Sequence, residues 1–138
     1  MSTANVREKL LHCVVVTPER TLFDEQVDFV GLPLFDGELG VLPGHSPMIG
    51  RLGYGELRTR SASNVRRYFI DGGIVQIREN VVTVLTSRAI PAANLERVAI
   101  ERELNSIRSK PVGTDFSRDE KTRAIDRSRA QLRITAKG

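Results

Sequence analysis

Residues 73–85 read GIVQIRENVVTVL, and this stretch decides the fold. Its first half, Val75-Gln76-Ile77-Arg78, alternates apolar and polar residues, as a half-buried β-strand does. Its second half, Val81–Leu85, is rich in β-branched residues and apolar on both sides, which predicts a strand buried between two layers. Glu79-Asn80 between them suits a tight reversal, because asparagine tolerates the left-handed conformation. The stretch therefore predicts a β-hairpin.

Similar apolar runs recur on the N-terminal side of this hairpin. They occupy residues 10–17, 27–34, 57–60 and 65–70, and residues 61–64 suit a second hairpin turn. The glycines at positions 50, 53 and 55 indicate turn and bulge, and Gly72-Gly73 indicates a bulge or a close backbone approach. Many short strands without intervening helices predict a β-sandwich or a barrel.

The C-terminal third has a helical pattern. In residues 92–109, Ile100, Leu104 and Ile107 share one helical face, and a second apolar side carries Leu95, Val98 and Ala99. A helix with two apolar sides is expected to contact both the sandwich and a partner helix. Proline and glycine in residues 111–113 end this helix.

A second helix is predicted to begin at the sequence Ser117-Arg118-Asp119-Glu120. This is a capping box, with serine at the cap and glutamate three residues later. The apolar stripe that follows is thin and consists of Ile125, Leu132 and Ala136, with Ser128 between. The two helices are therefore expected to form a hairpin that buries little apolar area, docks weakly and is the mobile part of the chain.

The chain has 138 residues and a net charge of +4, and the charge is unevenly distributed. Residues 1–88 contain 10 Lys/Arg and 10 Asp/Glu, whereas residues 89–138 contain 11 and 7. Two domains are therefore predicted, a neutral β-domain over residues 1–88 and a basic two-helix domain over residues 89–138. No apolar stretch is long enough to span a membrane, and the N-terminus lacks the apolar core of a secretory signal.

The inventory of reactive side chains argues against catalysis. The chain has one cysteine, Cys13, and two histidines, His12 and His45. A disulfide within the chain is therefore impossible, and a cysteine- and histidine-based metal site is not expected. His45-Ser46 lies in a loop and lacks the elbow motif of a serine nucleophile. We therefore expect no catalytic residues, no metal and no cofactor. The residues favour a binding or regulatory protein over an enzyme, and a free-standing hydrolase is the least favoured of the alternatives.

The basic residues raise one alternative function. Arginines at positions 58, 60, 66 and 67 and the basic second helix fit a nucleic-acid-binding adaptor. Against this, the chain has no tryptophan, its aromatic residues do not alternate with the basic runs, and acidic residues interrupt the helix. A solvated helix face, or a positive helix that meets an acidic protein surface, explains the same charges.

Residues 36–48, which read DGELGVLPGHSPM, resemble the signature loop of the epsilon subunit of F-type ATP synthases, which is called delta in mitochondria. The family pattern is Gly-Glu-x-Gly, an aliphatic residue, any residue, and then Pro-Gly-His-x-Pro. Residues 68–73, YFIDGG, and residues 81–85, VVTVL, are similar to two further family strands. The resemblance covers essentially the whole chain, in the family's order.

This resemblance implies a ten-stranded β-sandwich followed by an α-helical hairpin. It also implies a non-catalytic rotor subunit that binds the gamma subunit and the ring of c subunits and couples ion flow to ATP synthesis. Its C-terminal helices would contact the alpha and beta subunits and restrain ATP hydrolysis. The implied location is peripheral, on the cytoplasmic face of a bacterial inner membrane or the stromal side of a thylakoid, with membrane association only through the complex and no nucleic-acid partner.

The resemblance also implies which residues make these contacts. The surface that meets gamma and the c ring corresponds to Gly37, Glu38, Leu39, Gly40, Pro43, Gly44, His45 and Pro47. The surface that would face the beta subunits corresponds to Arg118, Lys121, Arg123, Arg127, Arg129 and Arg133.

Some bacterial members of the family bind ATP in the hairpin, and the chain departs from their pattern. Glu96 keeps the charge of the first helix segment, but Ala99 stands where those members have arginine. On the second helix Arg127 matches one arginine position and Gln131 replaces the other. An anion site that lacks two guanidinium groups loses most of its charge-assisted hydrogen bonds, so weak or absent ATP binding is expected.

Overall fold

A computed structural model describes residues 10–62, 64–113 and 116–136. The eight strands in these residues are β1 Leu11–Val16, β2 Thr21–Val27, β3 Phe29–Leu34, β4 Gly37–Val41, β5 Met48–Ser61, β6 Asn64–Arg78, β7 Val81–Leu85 and β8 Ala89–Pro91. A 3₁₀ turn, Ala92–Asn94, leads to helix α1, Arg97–Ser109, and helix α2, Arg118–Ala136. The predicted β-plus-α architecture is therefore confirmed, and β8 extends the sheet past residue 88.

The strands are hydrogen-bonded in the order β2-β1-β7-β6-β5-β3-β4, and β8 pairs with β6 beyond the end of β7. The pair β1·β7 is parallel and the other pairs are antiparallel. Side chains from one face form the main core, which includes Leu11, Val15, Leu57, Ile70 and Val82. Cys13 lies in this core, where burial raises the pKa of its thiol to about 12.

The hairpin predicted over residues 73–85 is confirmed. Gln76 and Arg78 are exposed, Val75 and Ile77 are buried, and Asn80 adopts a φ of 63° in the turn. The expectation that β7 is buried on both sides is wrong, because Val81 and Leu85 are exposed on the outer face of the sheet. Of the predicted turn at residues 61–64, Ser63 lies outside the described residues, and Ser61 pairs with Asn64 as the two strands meet there.

The expected count of ten strands is not confirmed, because β5 and β6 are long strands that bend without breaking. Between Gly31 and Leu34 of β3, the paired residues on β5 move from Arg58 to Leu52, so β5 carries a bulge there. Gly53 and Gly55 lie in that bulge, where an added Cβ would meet β3 at 3.2 and 2.6 Å. The glycines therefore form a bulge, as predicted, but they lie within one strand and not in a turn.

The bend in β6 occurs at the glycine pair. Gly72 and Gly73 have φ values of 69° and 119°, which favour glycine. Opposite them, in the segment between β7 and β8, Thr86 Oγ1 donates to the carbonyl of Gly72 at 2.6 Å. A Cβ on Gly73 would lie 2.0 Å from the carbonyl oxygen of Leu85, which confirms the predicted close backbone approach.

The helices differ from the prediction in two respects. Helix α1 begins at Arg97 instead of Ala92, because Leu95 is extended and packs beside Phe69 in a second cluster with Ala130 and Ile134. Val98 and Ala99 are exposed, since α1 packs on α2 through Ile100 and Leu104. Helix α2 lies between α1 and the sheet, so its buried residues are Ser128, Ala130, Gln131 and Ile134 and not the predicted stripe.

The capping box of α2 is confirmed. The backbone N–H of Glu120 donates to Ser117 Oγ at 3.1 Å, and the Glu120 carboxylate accepts from the same hydroxyl. Lys121 Nζ donates to the carbonyls of Arg108 and Lys110, at 3.1 and 2.8 Å, and thereby satisfies groups at the end of α1. No helix in the described part of the chain is long and apolar enough to cross a membrane.

Candidate interaction surfaces

The residues predicted to meet gamma and the c ring lie on strand β4 and on the loop after it. Glu38 and Gly40 are exposed on β4, which forms one end of the sheet, and Leu39 is partly buried against the core. Pro43, Gly44, His45 and Pro47 follow in the loop, where Gly44 has a φ of 87°. The structure therefore places these predicted residues along one continuous, mostly exposed segment.

Hydrogen bonds to the turn between β6 and β7 and within the loop hold this loop in place. The N–H of Gly44 donates to Asn80 Oδ1 at 2.8 Å, and the carbonyl of Asn80 accepts from the N–H of His12 at 2.8 Å. His45 Nδ1 donates to the carbonyl of Ser46 at 2.7 Å, which is a further contact within the loop. The loop is thus attached to the turn between β6 and β7, and it presents a defined shape to a partner.

An apolar patch on the outer face of the sheet was not predicted from the sequence. Phe35, Ile49, Ile74 and Leu85 are 68%, 74%, 50% and 51% exposed. Ile74 lies opposite Leu85 on β7 and opposite Arg51 on β5, and the Arg51 guanidinium lies 4.7 Å from the centre of the Phe35 ring. We call these four apolar residues the outer patch. Large exposed apolar patches on soluble proteins mark interaction sites.

The six basic residues predicted to face the beta subunits are not equivalent. Arg118, Arg123, Arg129 and Arg133 are exposed on α2. Lys121 is bound to the end of α1, and Arg127 Nε donates to Asp71 Oδ1 at 3.0 Å. Only the four exposed arginines are therefore available to a partner in this conformation.

The residues at the family's ATP-binding positions line one cavity of about 460 Å³ between the helices and the sheet. Glu96, Ala99, Arg127 and Gln131 all contribute to it, together with Arg88. The structure thus brings Glu96 and Arg127 to the same cavity. The Arg127 guanidinium, however, already pairs with a carboxylate of the protein, which leaves less positive charge for a phosphate.

We therefore predict that the isolated chain binds ATP weakly or not at all. Titration of the full chain with Mg-ATP in a calorimeter should show no saturation at micromolar nucleotide. The variant Gln131→Arg is the matched comparison, because it restores one guanidinium at the cavity wall and should strengthen any binding. Saturation of the unmodified chain at micromolar ATP would contradict the prediction.

The described residues contain no group of three or more His, Cys, Asp or Glu side chains placed to hold a metal ion. The only His–carboxylate pair among the ion pairs of this part of the chain is His12–Asp24, on the adjacent strands β1 and β2. His45 and Ser46 do not form a nucleophile pair, since the ring nitrogen of His45 bonds to the Ser46 carbonyl.

Comparison with known proteins places these features in a family. The family model for the β-sandwich domain of the ATP synthase delta/epsilon chain matches residues 10–92. The ATP synthase epsilon chain of Rhodopirellula baltica is 50% identical over 125 residues, which cover 91% of this chain and 98% of the relative. That of Nitratidesulfovibrio vulgaris strain DP4 is 34% identical over 134 residues, which cover 92% and 96%.

Solved structures share the fold at low sequence identity. A chain of the Euglena gracilis mitochondrial ATP synthase superposes with a TM-score of 0.71 at 22% identity, covering 93% of this chain and 78% of that one. A chain of the central stalk and c-ring structure from Tetrahymena thermophila gives a TM-score of 0.59 at 12% identity, covering 92% and 94%. From the sandwich, the signature loop and the match along nearly its whole length, the chain belongs to the ATP synthase epsilon-chain family.

Proposed function

We propose that the chain is a non-catalytic rotor subunit in the central stalk of an F-type ATP synthase. It couples ion flow through the membrane ring to ATP synthesis in the catalytic head. The observation that carries this proposal is the 50% identity to an epsilon chain along nearly the full length of both proteins. None of the relatives described above supports the nucleic-acid-binding alternative.

The proposed partners are the gamma subunit and the c ring, on the loop after β4 and on the outer patch. The loop has a fixed shape, because Asn80 and His45 hold it, and Glu38 stands exposed on the strand before it. The outer patch supplies apolar area whose burial against a partner stabilises the contact. The chain then lies peripherally, on the cytoplasmic or stromal face, and is attached to the membrane only through the complex.

The two helices form the proposed regulatory part, which restrains ATP hydrolysis by contact with the alpha and beta subunits. The four exposed arginines of α2 give it a positive surface that suits acidic segments of a partner. Such a contact is long-range and weakens with salt, because the side chains are solvated.

Removal of residues 93–138 tests the rotor role and the regulatory role in one experiment, because each role has its own readout. The cut follows β8, so it leaves the sheet complete. We expect the shortened chain to be recovered with the central stalk from solubilised membranes at the same stoichiometry as the full chain, and the ATPase activity of the complex to rise several-fold.

The control is a full-length chain in which the four exposed arginines of α2 become glutamine. It should assemble normally and show part of the rise in activity. Failure of the full chain to co-purify with the stalk would disprove the rotor assignment. Unchanged activity of the shortened complex would disprove only the regulatory role.

A further inference from the structure

Asp71 is a nearly buried carboxylate of the sheet that binds two arginines from different elements. Its side chain is 12% exposed, at the bend of β6 beside the glycine pair. Arg127 Nε of α2 lies 3.0 Å from its Oδ1, and an Arg88 terminal nitrogen, from the segment between β7 and β8, lies 3.5 Å from its Oδ2. We call these three residues the Asp71 triad.

The sheet holds Asp71 rigidly at this position. Its N–H donates to the carbonyl of Arg88 at 3.1 Å, and its own carbonyl accepts from Ser87 Oγ at 3.0 Å. The carboxylate is therefore fixed in the sheet, whereas Arg127 belongs to the helix that docks on it. Arg127 also lies 5.1 Å from the centre of the Tyr54 ring, a second favourable contact with the sheet for the same guanidinium.

Apart from the triad, helix α2 is held on the sheet by a small apolar contact and by one charged hydrogen bond. Its buried apolar side chains are Ala130 and Ile134, which pack on Phe69, and its other two buried residues are polar. At the far end, Arg67 donates to the carbonyl of Ile134 at 2.7 Å and to Glu56 at 2.6 Å. Because the apolar contact is small, charged hydrogen bonds contribute a large share of the docking free energy.

We propose that the Asp71 triad is the main polar contact that holds the helical hairpin docked on the sheet. Release of the hairpin then requires the Arg127–Asp71 pair to break, and only the released hairpin offers Arg127 to a partner. This proposal rests on the proposed function only in the second step, since docking is a property of the isolated chain.

The geometry predicts an asymmetry between the two sides of the pair. If Arg127 loses its charge, Asp71 still has Arg88 as a counter-ion. If Asp71 loses its charge, Arg88 and Arg127 remain as two like charges beside each other, with no carboxylate between them. Neutralising Asp71 should therefore loosen the hairpin more than neutralising Arg127 does.

Amide hydrogen exchange of the full isolated chain, followed by mass spectrometry, tests this directly. In Asp71→Asn, exchange in residues 118–136 should accelerate about 10- to 100-fold, the range expected when a charged hydrogen bond is lost. Arg127→Gln should give a smaller acceleration, and adding it to Asp71→Asn should partly reverse the acceleration, because it removes one of the two like charges. Arg129→Gln, an exposed arginine on the same helix, should exchange like the unmodified chain.

Equal exchange rates in α2 for the unmodified chain and Asp71→Asn would overturn the proposal, and so would strictly additive effects of the two substitutions. Exchange at Val82 and Val84 in β7 reports on the sheet itself. If Asp71→Asn also accelerates exchange in β7, the test depends on Arg127→Gln, because that substitution alters only the helix. Unchanged exchange of α2 in Arg127→Gln would then overturn the proposal. Stalk binding, measured separately by co-purification, fails only if the rotor assignment fails.

Discussion

Substitution of Gly73 by alanine should destabilise the domain by about 3 kcal/mol or more, the combined cost of a strained backbone and an overpacked site. A Cβ at this position would lie 2.0 Å from the carbonyl oxygen of Leu85, and neither atom belongs to a side chain that can turn away. The φ of 119° adds strain for any residue with a Cβ. Urea denaturation followed by circular dichroism measures the free energy of unfolding.

The matched control for this substitution is Gly113→Ala. Gly113 lies between the helices, has an ordinary φ, and an added Cβ would meet nothing within 4 Å. Its unfolding midpoint should stay close to that of the unmodified chain. A Gly73→Ala chain that unfolds at the same urea concentration as the control would show that β6 and β7 can separate at the bend without loss of stability.

Substitution of Ile74 by glutamate should weaken binding to the central stalk by about 30-fold, or about 2 kcal/mol, as expected for a residue at the centre of an interface. Ile74 lies between Leu85 and Arg51 on the outer patch and is half exposed. A carboxylate there remains solvated in the free chain but is desolvated when a partner covers the patch. Affinity for a catalytic head that contains gamma but lacks this subunit is the quantity to measure.

Val65→Glu is the appropriate comparison. Val65 lies on the same strand, is 54% exposed, and stands near the opposite end of β6 from Ile74. Both variants should unfold at about the same urea concentration as the unmodified chain, since surface substitutions rarely change stability much. Equal affinities of the two variants for the stalk would show that the outer patch is not the contact surface.

The sequence predicted the elements whose signals are local. The hairpin of β6 and β7 follows from a clean alternation and one asparagine, and the start of α2 follows from four consecutive residues. Strand β2 was missed because Asp24 and Glu25 interrupt its apolar pattern at the edge of the sheet. The continuity of β5 was missed because its glycines are typical of turns, and only the passage of β3 beside them shows that they form a bulge.

The functional surfaces were predictable only in part. The signature loop is contiguous in the sequence, so its residues could be named before the fold was known. The outer patch could not be predicted, because Ile74 and Leu85 lie at the ends of apolar runs. The local sequence does not indicate which face of these strands is covered by the core. The pairing of Asp71 with Arg127 joins residues that are 56 positions apart, and it depends on how α2 docks on the sheet.

The deep position of Cys13 has a practical consequence for following the hairpin. Burial raises the pKa of its thiol to about 12, so the unreactive protonated form dominates at neutral pH, and its side chain is enclosed by the core. A cysteine introduced at an exposed site, such as that of Arg129, would then be the one thiol that maleimide dyes reach in the folded protein. Fluorescent reporters of helix movement can therefore be attached without first replacing the native cysteine.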